Sequence, residues 1–118
     1  NLELYEKYNL IDKIQKTSKI FQNRINEIYN LDLVGDIRHK GMVMGIELVK
    51  NKKTKKPFTT DFSINKLVFE EGRKNNIYFR TLGNIVMLVP PLDISQKDLN
   101  FLIDGTIKTI TALSRKVR

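Results

Sequence analysis

The sequence predicts one α+β domain over residues 1–118, a two-layer sandwich with a three- to four-stranded, mainly antiparallel sheet and helices packed on one face. Two observations predict this fold. Three segments repeat apolar residues at helical spacing, so each has one face to bury. Between them lie pairs of β-rich segments joined by short connections, which are typical of antiparallel strands. The length fits a single domain with a modest core.

The first predicted helix covers residues 10–29. Its apolar stripe consists of residues spaced three and four apart, namely Ile11, Ile14, Ser18, Phe21, Ile25 and Ile28. A coiled-coil seam is an alternative use, but the stripe lasts under three heptads, so packing on a sheet is favoured. A weaker alternative makes this helix the contact surface of a structural dimerisation domain.

Two strands are predicted next, a short one at residues 34–38 and a stronger one at residues 42–49. Gly41 and Gly45 are unusual in a strand, and each suggests a bulge, another backbone or a ligand close by. Glu47 lies between apolar neighbours, so we expect it to face solvent, a partner subunit or a counter-charge.

A second helix is predicted to begin at a cap formed by Asp61 or Ser63 and to run to residue 75. Its expected buried side carries Ile64, Leu67 and Val68. It ends at residues 74–76, because asparagine tolerates the left-handed conformation.

Residues 77–80 and 84–89 are predicted to form an antiparallel pair around a turn at residues 81–83. The proline pair at residues 90–91 ends the second strand, since proline cannot donate to the ladder. The last helix is predicted to begin at the cap residue Ser95, with Asp98 as a capping-box-like partner. Its stripe consists of Leu99, Leu102, Ile103, Thr106, Ile107, Ile110 and Leu113.

The net charge of +8 comes largely from five lysines within residues 50–56, and without them it would be +3. A nucleic-acid-binding domain usually spreads its basic residues along a face and interleaves aromatic residues. Here the lysines are concentrated in a predicted hairpin or connecting loop, so we interpret them as solvated. A free-standing basic module that binds nucleic acid or an acidic partner through this cluster is kept as the alternative function.

Several kinds of site are excluded by composition. The sequence has no cysteine, which excludes disulfides, thiolate nucleophiles and cysteine-based zinc sites and fits a cytoplasmic location. The single histidine, His39, lies in no metal-binding pattern, and no phosphate-binding glycine loop or GxSxG elbow occurs. Glu70, Glu71 and Asp61 are predicted on a solvated helix face. The residues alone therefore do not indicate autonomous catalysis.

Three further features concern the whole chain. No apolar run is long enough to span a bilayer, so no membrane partner is expected. The first residues mix charged and apolar side chains, which does not indicate a signal peptide. The sequence begins with Asn1 rather than methionine, which fits a piece of a longer protein.

Arg80 is the one candidate binding residue. It is predicted to end a strand directly before a tight turn at residues 81–84. A guanidinium on the rim of a rigid sheet can bind a carboxylate through two parallel hydrogen bonds. The alternative is an ordinary surface arginine at a strand end.

Two long segments resemble the C-terminal domain of the class III, pyridoxal-phosphate-dependent aminotransferases. They are residues 41–58, with GIEL at 45–48, and residues 80–95, with PPLDIS at 90–95. The VGDIR stretch at residues 34–38 resembles the entry strand of that family. Arg80 stands directly before an x-Leu-Gly turn. This pattern resembles that of the biotin-pathway branch of the family, the adenosylmethionine–8-amino-7-oxononanoate aminotransferases. The family usually has proline where Thr81 stands, and some members have an aromatic residue at Met87.

The resemblance implies a homodimeric fold-type I enzyme whose large domain binds pyridoxal 5'-phosphate through a Schiff-base lysine. This chain would be the C-terminal small domain that covers the active site, and the large cofactor domain would be its partner. The implied reaction transfers an amino group from S-adenosylmethionine to 8-amino-7-oxononanoate and gives 7,8-diaminononanoate. Arg80 would bind the carboxylate of this keto acid. The chain alone is expected to hold no cofactor, metal or catalytic residue and to be inactive.

Overall fold

The computed structural model describes residues 2–56, 58, 64–91 and 94–116, and in the first helix it describes side chains only from residue 10 onward. The elements of this part of the chain follow in order: α1 (Leu2–Tyr29), β1 (Val34–Lys40), β2 (Val43–Leu48), α2 (Ile64–Lys74), β3 (Arg80–Leu82), β4 (Ile85–Leu88) and α3 (Gln96–Lys116). The predicted α+β sandwich is confirmed.

The four strands form one sheet in the order β1-β2-β4-β3, and every neighbouring pair is antiparallel. Burial alternates along the two central strands, as expected when helices cover one face. The side chains buried under the helices are Met44, Ile46, Leu48, Val86 and Leu88. The residues between them point to the other face, which no described helix covers.

The helix α1 begins eight residues before its predicted start. Its apolar stripe is buried only in its second half, where Phe21 and Ile28 are inaccessible to solvent while Ile11 is exposed. The prediction followed the stripe, which starts at Ile11, whereas the helix extends back to Leu2. Residues 2–9 contain two leucines, two glutamates and one lysine, which are good helix formers.

The helix α2 ends in a Schellman motif. The Ile77 amide donates to the Gly72 carbonyl oxygen over 2.8 Å, and the Asn76 amide donates to that of Arg73 over 3.0 Å. Asn76 has a φ of 62°, which confirms the predicted left-handed asparagine. The predicted caps of this helix, Asp61 and Ser63, lie outside the described residues.

The predicted strand at residues 77–80 is wrong. The strand β3 is Arg80–Leu82, and its partners Val86 and Ile85 lie opposite Thr81 and Leu82. The hairpin turn is therefore only Gly83 and Asn84, with a φ of 60° at Gly83. The cap of α2 uses the backbone of residue 77, so the strand starts three residues later than predicted.

The prediction that Glu71 lies on a solvated helix face is wrong. Its side chain is only 6% exposed, and it forms ion pairs with Lys74, at 3.0 Å, and with Lys116 at the end of α3. The ammonium group of Lys116 and, to a smaller extent, that of Lys74 hold the pKa of the Glu71 carboxyl below its usual value. Its neighbour Glu70 is exposed, as predicted.

The helix α3 begins as predicted, because the Ser95 hydroxyl accepts a 3.1 Å hydrogen bond from the Asp98 amide. Its stripe is buried at Leu99, Ile103, Thr106, Ile110 and Leu113. Arg24 of α1 binds Asp104 of α3 at 2.6 Å and so joins the two helices at the surface.

Candidate functional site

Arg80 is the first residue of the edge strand β3, not the last residue of a strand as predicted. It lies opposite Met87 of β4, so both side chains leave the same face of the sheet. That face is the one without helices, because Val86 and Leu88 on either side of Met87 are buried beneath them. Arg80 itself is exposed.

Arg80 ends a row of four residues that crosses the whole sheet. The register places Arg38 opposite Gly45, Gly45 opposite Met87, and Met87 opposite Arg80. Neighbouring strands lie about 4.8 Å apart, so the row spans roughly 14 Å between its two arginine backbones. The row thus has a guanidinium at each end and a glycine and a methionine between them.

A shallow groove of about 310 Å³ lies over the part of this row that belongs to β1, β2 and β4. Its floor is mainly apolar and includes Val43, Gly45, Ile85 and Met87. Charged side chains surround the floor, namely Asp36, Arg38, Lys40 and Glu47. Glu47 thus faces this groove, which agrees with the prediction that it points away from the core.

A second cleft, of about 620 Å³, lies at the β3 edge and includes both Arg80 and Met87. Its other walls are mostly apolar, with Tyr78 and Val89 beside the strand ends and Phe101 from α3. Among the described residues, no carboxylate lies within ion-pair distance of the Arg80 guanidinium. Arg80 is therefore the one charged residue among the described residues that line this mostly apolar cleft.

The other polar candidates have structural roles. The ring of His39 packs edge-on against Phe21 with centroids 5.5 Å apart, and its Nε2 lies 2.8 Å from the Gly41 carbonyl oxygen. Within the described ranges, no group of three histidine, aspartate or glutamate residues could hold a metal ion. The described helices include none that is both long and apolar enough to cross a membrane.

The predicted lysine hairpin is present as a turn closed by the bridge between Asn51 and Lys56. Lys52 donates to the carbonyl oxygen of Tyr29 and lies 4.6 Å from the centre of its ring, while Lys55 donates to the carbonyl oxygen of Gly35. Two of the five lysines therefore bind the chain's own backbone, one of them at the C-terminus of α1, where cations are favoured.

Neither of the two glycines singled out in the sequence lies at a bulge. The bulge of β1 lies between Val34 and Asp36, away from Gly41 and Gly45. Gly41 has a φ of 58° in the turn between β1 and β2. Gly45 lies on the groove floor, and that position could not be derived from the sequence, because it depends on the register of three strands.

The described residues do not form a pyridoxal phosphate site. That cofactor needs an enclosed lysine for its aldehyde, a carboxylate for its ring nitrogen and a cradle of donors for its phosphate. Lys40 is the sole described lysine that lines either cavity, and it is exposed at the groove rim.

Together, the three helices and the four-stranded antiparallel sheet have the fold of a domain of the aminotransferase class. Residues 1–110 match the family Aminotransferase class-III, and the chain belongs to that family. These aminotransferases depend on pyridoxal phosphate.

Adenosylmethionine-8-amino-7-oxononanoate aminotransferases of several organisms are among the relatives. The one from Methanocaldococcus jannaschii is 39% identical over 109 residues, which are 92% of this chain and 24% of that protein. The one from Geobacter sulfurreducens is 34% identical over 110 residues, 93% of this chain and 24% of that protein. The crystal structure of the Methanocaldococcus enzyme superposes on this chain with a TM-score of 0.85. The superposed part is 94% of this chain and 25% of the enzyme's chain. The chain thus spans about a quarter of the length of these relatives.

Proposed function

We propose that this chain is the C-terminal, substrate-covering domain of a biotin-pathway aminotransferase. The proposed reaction transfers an amino group from S-adenosylmethionine to 8-amino-7-oxononanoate and gives 7,8-diaminononanoate. The observation that carries this proposal is the similarity to enzymes of that name over more than nine tenths of the chain. The large cofactor domain of the same enzyme would be its partner, in a cytoplasmic homodimer.

In this proposal Arg80 binds the carboxylate of the keto acid. The guanidinium can donate two parallel hydrogen bonds to the two carboxylate oxygens. The apolar walls of the cleft at Met87 and Val89 would lie beside the aliphatic chain. When the rest of the enzyme covers the cleft and excludes water, each charge-assisted bond becomes stronger.

The threonine that replaces the family's usual proline does not weaken this proposal. Thr81 is paired with Val86 inside the hairpin, and the turn itself is formed by Gly83 and Asn84. A glycine at the first position of a two-residue hairpin loop is a preferred arrangement. The position of Arg80 therefore depends on the strand pairing and not on a rigid residue at position 81.

Pyridoxal phosphate, when bound by the rest of the enzyme, would supply the electron sink for transamination. The residues of this chain would bind and orient the keto acid and help to exclude water. No proton transfer is assigned to any lysine described here. The alternative function, a basic binding module, loses support because Lys52 and Lys55 bind backbone carbonyl groups of the chain itself.

A chimeric enzyme tests the proposal. The matching quarter of the Methanocaldococcus aminotransferase is replaced by this chain, and the product is assayed with S-adenosylmethionine and 8-amino-7-oxononanoate. We expect a folded, cofactor-containing enzyme that forms 7,8-diaminononanoate. A folded chimera that retains pyridoxal phosphate but does not aminate this keto acid would contradict the proposal.

A further inference from the structure

The segment that leads into Arg80 is only weakly held by the sheet. The strand β3 has three residues and lies at the sheet edge, so it pairs with β4 on one side only. Residues 77–79, which connect it to α2, belong to no strand. They nevertheless line the same cleft as Arg80. The contacts of residues 77–79 with the helices therefore help to decide where Arg80 enters the cleft.

This segment is anchored at every second residue. Ile77 and Phe79 are buried, whereas Tyr78 is 75% exposed and Arg80 is exposed as well. Alternate side chains of an extended segment point to opposite sides. A shift of the buried pair would therefore move the outward-pointing arginine with it.

Both buried side chains pack against a glycine of a helix. A Cβ atom at Gly105 of α3 would overlap the Cδ1 atom of Ile77 and lie 3.3 Å from its Cγ1 atom. A Cβ atom at Gly72 of α2 would lie 2.5 Å from the ring of Phe79 and 2.8 Å from the carbonyl oxygen of Ile77. Glycine is unfavourable inside a helix, where alanine is the best helix former. Neither glycine has a positive φ, so the room that each leaves for the segment accounts for its presence.

Hydrogen bonds fix the same junction one turn further along α3. The side-chain amide of Asn75 donates to the hydroxyl of Thr109 over 3.1 Å, and this hydroxyl donates to the carbonyl oxygen of Gly105 over 2.7 Å. Thr109 is inaccessible to solvent. The helix α3 thus holds both the end of α2, through Thr109, and the start of the segment, through Gly105.

We propose that Gly105 is a positioning residue for Arg80. It leaves room for Ile77, and the seated Ile77 fixes the segment that directs Arg80 into the cleft. The inference rests on the proposed function, in which Arg80 binds the keto-acid carboxylate. Ile77 precedes Arg80 by only three residues, or about 10 Å of extended chain. Misplacement of a substrate-binding group by about 1 Å can reduce activity about a hundredfold.

Gly105→Ala in the chimera described above tests the inference. The added methyl group displaces Ile77, so we expect the KM for 8-amino-7-oxononanoate to rise about tenfold. The half-reaction with S-adenosylmethionine and the retention of pyridoxal phosphate should change little. An unchanged KM for the keto acid, with or without a change in melting temperature, would overturn the inference.

A shorter side chain at position 77 provides the rescue. Ile77→Val removes the Cδ1 atom that the added Cβ atom would overlap. Alone it should leave the keto-acid KM nearly unchanged, and combined with Gly105→Ala it should restore the KM towards that of the parent chimera. A combined variant whose KM stays as high as that of Gly105→Ala would contradict the inference. If Gly105→Ala does not fold, Ile77→Ala, which empties the space beside Gly105, should raise the same KM, and no change there would overturn the inference.

A second combination separates positioning from packing. If Gly105 acts through Arg80, Gly105→Ala should raise the keto-acid KM no further in a chimera that already carries Arg80→Ala. An equal further rise would show that Gly105 acts by another route, and the inference would be wrong. Arg80→Ala alone tests the proposed function. If it raises the KM and Gly105→Ala does not, only the positioning role fails, whereas an unchanged KM in Arg80→Ala contradicts the proposed role of Arg80 itself.

Discussion

Arg80 and Met87 lie directly opposite each other on β3 and β4, so their side chains emerge side by side on the open face of the sheet. Side chains in such a cross-strand pair have Cβ atoms about 4.5–5.5 Å apart. Whatever replaces Met87 therefore lies within reach of the Arg80 guanidinium. This relationship allows the proposed role of Arg80 to be tested without changing the arginine.

Met87→Glu would place a carboxylate beside Arg80 within the same chain. We expect the new carboxylate to occupy the guanidinium and to compete with the keto acid, so that the KM for 8-amino-7-oxononanoate in the chimera rises at least tenfold. Met87→Leu conserves volume and apolar character, which usually costs less than about 1.5 kcal/mol in stability, and should leave this KM nearly unchanged. An equal KM in the two variants would argue against Arg80 as the carboxylate partner.

The ion pairs that the buried Glu71 carboxylate forms with two exposed lysines should make the stability of the chain depend on pH. The pKa of Glu71 is lowered mostly by its hydrogen bond to Lys116 and next by that to Lys74. Because this pKa is lowered, the charged Glu71 side chain stabilises the fold at pH values above 4.5, the ordinary pKa of a glutamate. The stabilisation is lost as the pH falls through the lowered pKa. Denaturant unfolding of the isolated chain at a series of pH values measures the effect. Glu71→Gln should lower stability at pH 7 and flatten the acid slope, whereas Glu70→Gln should leave the slope unchanged.

The first helix should depend on Phe21 for its packing. Its side chain is fully buried and contacts the ring of His39 on β1. Phe21→Ala should lower the free energy of unfolding by about 3–5 kcal/mol, because it removes apolar burial and leaves a cavity. Ile11→Ala, on the exposed part of the same stripe, should cost far less when measured by urea unfolding. Similar losses at the two positions would show that the first half of α1 is also buried.

The helices were predictable because their information is local. The stripe from Leu99 to Leu113 and the cap at Ser95 depend on residues three or four apart, and both are confirmed. The beginning of α1 was missed, since the apolar stripe on which the prediction depends starts only at Ile11. Asn76 was also predictable, because its left-handed conformation reflects its own backbone tolerance.

The errors arose where distant residues decide the structure. The segment at residues 77–79 is rich in strand-forming residues, but the cap of α2 engages Ile77, so β3 begins at Arg80. Glu71 seemed solvated because its partner Lys116 is far away in sequence and meets it only when α2 and α3 pack. Likewise, the row through Gly45 and Arg80 depends on the register of all four strands.

The proposal that Arg80 binds the keto-acid carboxylate is tested by the two half-reactions of the chimera, which can be measured separately. The loss of a desolvated carboxylate partner costs about 2–4 kcal/mol, or roughly 30- to 800-fold in affinity. Arg80→Ala should weaken the half-reaction with 8-amino-7-oxononanoate by this amount and affect that with S-adenosylmethionine much less, as followed by the absorbance of the cofactor. Equal losses in both half-reactions, or no loss in either, would contradict the claim.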